Sequence, residues 1–159
     1  MQLNVKDIRT DGGTQPRAEL DELVIEEYAY EWLNGSKFPP VVTFYDGAEY
    51  WLADGFHRLA AAIRAGFTEI DSDIKQGERR EAVLYSCGVN ADHGLRRTND
   101  DKRRAVETLL RDEEWSKWSD REIARRCAVS DRFVNKMRPE VTANGSQLEP
   151  TVSASRVRA

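Results

Sequence analysis

Two stretches of this sequence carry residue types and spacings that could do chemistry. The first is Trp51-Leu52-Ala53-Asp54-Gly55-Phe56-His57-Arg58-Leu59-Ala60-Ala61-Ala62. Its strand-forming residues lead through a glycine turn directly into an Ala-rich helix. At such a helix start, free backbone N–H groups and the macrodipole favour an anion. Gly55 shapes the turn, and His57 and Arg58 stand in the first helical turn, where they would complete a phosphate cradle. The same residues fit a structural arrangement, with Arg58 paired to a nearby carboxylate and His57 simply packed. A nuclease or other hydrolytic site would need a metal cluster or a nucleophile with its base. For that the sequence offers only Asp54, His57 and the pair Asp92 and His93.

The second stretch, residues 120–137, has the pattern of a helix-turn-helix. Two short helices crossing steeply need a small residue at the crossing, Ala124. They also need a shared apolar core, supplied by Ile123, Cys127, Val129, Val134 and Met137. Ser130, Asp131, Arg132, Asn135 and Lys136 then face outward near the N-terminus of the second helix, the end that enters a major groove. Arg132 suits a guanine edge and Asn135 an adenine edge, while Ser130 and Lys136 suit bases or phosphates. Arg96 and Arg97 add cationic contacts ahead of the pair. Ala128 stands where a glycine would make positive φ easy, at a cost of about 1 kcal/mol. A plain helical hairpin with a solvated charged face is the competing reading.

The elements that must position these residues can be laid out by periodicity. Leu3, Val5 and Ile8 alternate as a short strand, broken at Asp11-Gly12-Gly13. From Glu19 to Leu33 the apolar set Leu20, Leu23, Val24, Tyr28 and Trp32 predicts an amphipathic helix, ended by Asn34-Gly35 and Pro39-Pro40. Val41 to Tyr45 and Glu49 to Ala53 predict a hairpin through Asp46-Gly47. Phe56 to Ala65 is a helix closed by Gly66; Ile70 to Ile74 is a strand and Arg79 to Asn90 a helix. Beyond His93-Gly94 the pattern is helical only. Thr98 with Asp101 caps a helix carrying Val106, Leu109 and Leu110, and Ser119 with Glu122 forms an S-x-x-E start for the next. Ser130 caps the last helix, which the proline rule stops before Pro139.

Composition bounds the class. The 159 residues, 40% hydrophobic, suffice for one ordinary domain or a modest domain with a small module. The mean hydropathy of −0.68 and the lack of a long apolar run argue against a membrane span. The N-terminus shows no secretion signal. Cys87 and Cys127 are not in CxxC spacing and read as small apolar residues in a reducing, cytoplasmic setting. With only 2 histidines, a His/Cys zinc site is not expected, and no metal ligand or catalytic residue is assigned. The net charge of −4 hides a division: residues 1–95 hold 9 Lys/Arg against 17 Asp/Glu, and residues 96–138 hold 13 against 9. A cationic module beside an acidic one suits a nucleic-acid binder.

The strand-Asp-Gly-x-His-Arg-helix pattern resembles the N-terminal domain of the ParB/sulfiredoxin superfamily, and the order of parts over residues 1–138 is similar to ParB. Thr14-Gln15-Pro16-Arg17 resembles the first ParB box. Gly55-Phe56-His57-Arg58 stands at the second, Gly-Glu-Arg-Arg, and Asn90 with Arg96-Arg97 at the third, Glu-Asn-x-x-Arg. The resemblance implies an α/β (α+β) domain over 1–94 and an all-α helix-turn-helix domain over 95–138, while the polar, aperiodic composition of residues 139–159 reads as a disordered tail. The resemblance further implies a site for CTP or another nucleotide built from Thr14, Gln15, Arg17, Gly55, His57, Arg58 and Asn90. Double-stranded DNA, a homodimer and a partition ATPase are the implied partners, with a nucleoid- or plasmid-associated location and a role in partition or transcription. Phe56 and Val89 replace the two ParB carboxylates, so magnesium-dependent hydrolysis is not expected. Phe56 also replaces the cysteine of the sulfiredoxin signature. A ParB-like nuclease or small-molecule phosphotransferase is the alternative activity, and an adaptor without ligand the third reading.

Overall fold

In the computed structural model, residues 1–15, 20–89 and 96–142 are described. The chain divides into two compact units, Met1–Ser86 and Cys87–Ala159. The division falls ahead of the boundary expected at residue 94.

The first unit is built on a five-stranded sheet. Its strands are β1 (Gln2–Asn4), β2 (Ile8–Arg9), β3 (Val41–Tyr45), β4 (Tyr50–Asp54) and β5 (Glu69–Gln76), in the order β1-β5-β3-β4-β2. The N-terminal run expected as one strand is two, separated by a 3-10 turn over Val5–Asp7 that Asn4 caps. That turn lets Leu3 pair antiparallel with β5 while Ile8 pairs parallel with β4, on opposite edges of the sheet. The hairpin forms as its Asp-Gly turn requires. The Asp46 carboxylate accepts from the N–H groups of Ala48 and Glu49 at 2.8 and 2.7 Å, and from the Trp51 indole at 2.8 Å. The chain returns through helix α2 (Phe56–Arg64) to place β5 parallel to β3.

Each face of the sheet is covered. Leu3, Ile8, Val41, Leu52 and Ile70 on one side pack with Phe56, Leu59 and Ala62 of α2. Val42, Phe44 and Ala53 on the other pack with Ala82 of helix α3 (Arg79–Ser86). Helix α3 ends at Ser86, short of the expected Asn90, which lies outside the described residues. Helix α1 (Glu22–Leu33) rests on α2 through Ile25 and Ala29, with Tyr28 and Trp32 beside them. Leu23, expected on that inner face, is 76% exposed.

The second unit is helical. Thr98 and Asp101 make a reciprocal capping box at the start of α4 (Asn99–Leu110), and Val106, Leu109 and Leu110 are buried as the period predicts. Helix α5 (Asp120–Cys127) starts at Ser119, whose hydroxyl accepts from the Glu122 N–H at 3.1 Å. A last helix, α6, covers residues 131–142. It does not stop before Pro139. Val134, Met137 and Val141 are all buried along one face of it. Their shared burial outweighs the one backbone hydrogen bond and local clash that an interior proline costs, about 3 kcal/mol. Residues 139–142 of the expected disordered tail are therefore helical, and the remainder lies outside the described residues.

Candidate phosphate turn and candidate nucleic-acid interface

The turn between β4 and α2 depends on one residue. Gly55 is the N-cap of α2 with φ of 105°, and a Cβ placed there would lie 2.5 Å from Val41 Cγ1. No larger residue fits, and no side chain caps the helix. A helix start without a side-chain cap is what an anion needs.

The neighbouring side chains are nevertheless tied to the protein. Arg58 donates to the carbonyls of Pro39 and Pro40 at 2.8 and 2.7 Å, and to Asp54 Oδ2 at 3.1 Å. The Arg58 and Asp54 side chains are only 15% and 12% exposed. The guanidinium thus closes the loop ahead of β3 onto the turn. His57 is buried, and its Nε2 accepts the Asp21 N–H at 2.9 Å, just where α1 begins. Thr14 is also buried, and its hydroxyl donates to the Leu52 carbonyl of β4. Thr14, Gly55, His57 and Arg58 therefore gather around the end of β4, with Gln15 half-buried next in sequence. Arg17 and Asn90 lie outside the described residues, as do Asp92 and His93. Sequence reasoning missed Arg79, whose Nη1 donates to the Gly12 carbonyl at 2.9 Å and fixes the loop that leads to Thr14.

In the second unit the chain leaves α5 through Ala128, at φ 55° and ψ 47°, the left-handed conformation expected at that position. Ser130 then accepts the Phe133 N–H at 3.1 Å and starts α6. Asp131, Arg132 and Lys136 are exposed on the outside of that helix, and Ser130 at its start. Asn135 is exposed too, but its amide donates to Asp120 Oδ2 at 3.0 Å. Asp120 also receives Arg138 Nε at 2.7 Å, while the rest of that guanidinium donates to the carbonyls of Ser116 and Trp118. These bonds, Asn135 first and then Arg138, hold the Asp120 carboxyl below its ordinary value. Asp120 and Arg138 are thus a clamp between α5 and α6. The sequence did not announce it, because nothing local marks partners eighteen positions apart. Arg126 and then Arg125 likewise hold the Glu122 carboxyl low, so this residue of the expected box is paired with cations.

Arg97 corrects an expectation. It is 6% exposed, and its guanidinium donates to the carbonyls of Cys87 at 3.1 Å, Cys127 at 2.8 Å and Ala128 at 3.2 Å. It serves the last carbonyls of α5, which have no helical partner, and cannot also meet DNA. Arg96 beside it is exposed. The two cysteines are buried as expected. Their mutual hydrogen bond, then burial, push the Cys127 thiol well above its ordinary value.

A C-terminally truncated chromosome-partitioning protein ParB from Caulobacter crescentus, complexed to the centromeric parS site, superimposes over 87% of this chain and 70% of its own. The TM-score is 0.59 at 16% identity. The fold is ParB-like. The same protein complexed with CTP-γ-S matches over 99% of this chain and 89% of its own, with TM-score 0.52 and 17% identity. Among curated sequences, a streptomycin biosynthesis operon possible regulatory protein from Streptomyces griseus is 32% identical over 114 residues, 72% of this chain. The transcriptional regulator NovG from Streptomyces niveus is 30% identical over 92 residues, 58% of this chain. The chain spans 31% and 28% of the lengths of these two relatives. No protein-family model matches the chain. Among the described residues, no helix is long and apolar enough to cross a membrane.

Proposed function

We propose that this protein is a DNA-binding transcriptional regulator whose second unit reads duplex DNA through a helix-turn-helix. The observation that carries the reading is the outer face of α6. It follows a left-handed turn at Ala128 and presents Arg132 and Lys136 to solvent near its start. Two further facts support it: the excess of Lys and Arg over residues 96–138, and the regulatory names of the two relatives. The base-reading set narrows to Arg132 and Lys136, with Asp131 next in sequence to Arg132. Ser130 and Asn135 hold protein groups and would have to let go first.

The first unit, in this reading, binds a phosphate-bearing ligand at the α2 start, a nucleotide such as CTP by analogy with the ParB neighbour. Backbone N–H groups of the first turn of α2 are the donors. Arg58 contributes only by exchanging its present carbonyl partners for the ligand. Phe56 supplies no carboxylate, so binding is weakly dependent on magnesium. Partition, rather than transcription, is the second reading, favoured only by the ParB fold.

The test is binding of the full chain to a duplex library across a range of salt. A slope reflecting several phosphate contacts is expected. Arg132→Ala should relax preference at one base position and cost about 1–3 kcal/mol. No binding at any salt, or an Arg132→Ala protein that binds every sequence as the parent does, would overturn the reading. A nucleotide panel with and without magnesium tests the α2 turn separately.

A further inference from the structure

Helix α1 is apolar on two sides. Its inner side, Ile25 and Ala29, is buried on α2. At about 100° per residue, Leu23 and Tyr30 fall within roughly 20° of each other and about 150° from Ile25, on the far side of the helix. They are 76% and 71% exposed, and Leu33 beside them is 65% exposed. Large apolar residues gathered on one surface mark a contact site, whereas scattered ones need no explanation. Here three of the most exposed in the protein share one helix.

The charged residues of α1 itself have one sign. Glu26 and Glu27 flank Leu23 and Tyr30 on either side, and no Lys or Arg occurs between Asp21 and Leu33. Arg64 of α2 reaches only Glu22, at 2.8 Å, on the edge toward α2. That charge pattern decides among occupants. An anionic lipid surface or a nucleic acid would be repelled. A second copy docking α1 on α1 would set the same glutamates against one another. A cationic chain is attracted, and the apolar stripe between the acids requires that it be amphipathic.

We propose that the outer face of α1, Leu23 and Tyr30 between Glu26 and Glu27 with Leu33 one turn beyond Tyr30, docks a cationic amphipathic segment of a partner protein. The stripe supplies the buried contact and the two glutamates its orientation. The proposal concerns only the first unit and is independent of the DNA reading.

The experiment uses the full chain and a synthetic amphipathic Leu/Lys peptide, with a Leu/Glu peptide of the same pattern and a scrambled Leu/Lys peptide as controls. Backbone amide signals are followed by NMR, and self-association by sedimentation. The amphipathic cation should bind at least about tenfold more tightly than either control and shift signals along α1. The Leu23→Ser/Tyr30→Ser variant, altered only at exposed positions, should lose at least about tenfold in affinity with an unchanged circular dichroism spectrum. Glu26→Lys/Glu27→Lys should weaken binding and abolish its salt dependence. The proposal is overturned if no peptide binds, if a control binds equally, if the serine variant keeps full affinity, or if shifts fall away from α1. It is equally overturned if the chain self-associates and the serine variant makes it monomeric, since a second copy would then be the occupant.

Discussion

The turn at Gly55 and the turn at Ala128 pose the same problem and solve it differently. Each places one left-handed residue at the end of a helix, and each is held by an arginine that donates to loop carbonyls. At Gly55 the packing against Val41 leaves no room for a Cβ, so the left-handed glycine is obligatory. At Ala128 a Cβ is present and the conformation is held against its own preference. Arg58 serves the first turn and Arg97 the second, the first partly open to solvent and the second buried. An arginine beside a functional-looking motif can thus be a structural donor, and its burial and carbonyl partners are what reveal it.

Gly55 is the more vulnerable of the two turns. Gly55→Ala combines a strained φ with a direct clash on Val41, and should cost about 3–5 kcal/mol in urea unfolding of the first unit. Adding Val41→Ala should relieve the clash but not the strain, recovering part of the loss. Full stability in the single variant would show that the turn is not packed as described.

Next in size is Arg97. Arg97→Leu strands three carbonyls in the interior of the second unit and should cost about 3 kcal/mol. Arg58→Ala removes a part-buried ion pair and two carbonyl contacts, and about 1.5–3 kcal/mol is expected. If Arg58→Ala leaves stability unchanged yet abolishes anion or nucleotide binding, the two arginines are not equivalent, and Arg58 belongs to the ligand. Ala128→Gly should act the other way, adding about 0.5–1 kcal/mol to thermal stability by relieving the left-handed alanine.

The smallest effect concerns Asp120. Its carboxyl titrates lower in the fold than in the unfolded chain, so its contribution is present above the ordinary carboxylate range and lost as pH falls through the lowered value. Asp120→Asn should flatten that part of the acid limb of the stability profile, leaving the neutral plateau slightly lower. An unchanged acid limb would mean that the clamp between α5 and α6 carries no weight.

Local signals were the ones legible in the sequence. Asp46-Gly47 announced the hairpin, Thr98 with Asp101 announced a complete capping box, and Ala128 was recognised as the left-handed position. All three act within a few residues, and propensity decides them. What escaped depends on partners distant in sequence. Arg97 looked like a surface cation because charge is readable and burial is not. The expected inner face of α1 took in Leu23 and left out Ile25, whereas Ile25 is the buried one, because the position of α2 selects between the faces. Pro139 predicted a helix end, but Val141 packs one turn beyond Met137 and the helix continues. The grouping of Thr14 and Arg58 around the end of β4 was suggested by family likeness, whereas their hydrogen-bond partners were not.

The order of the sheet has a consequence for behaviour at high concentration. Its outermost strands are also its shortest, three residues in β1 and two in β2, while the longest strand, β5, lies inside. The edge strands cover little of what lies behind them: β1 pairs only with Glu69–Asp71 of β5, and β2 only with Tyr50 and Trp51 of β4. Sheets with long flat margins recruit one another and aggregate. By dividing between the two margins, the N-terminal run shields three residues of one and two of the other, and a ladder seeking to grow would find its longest free template along the rest of β5.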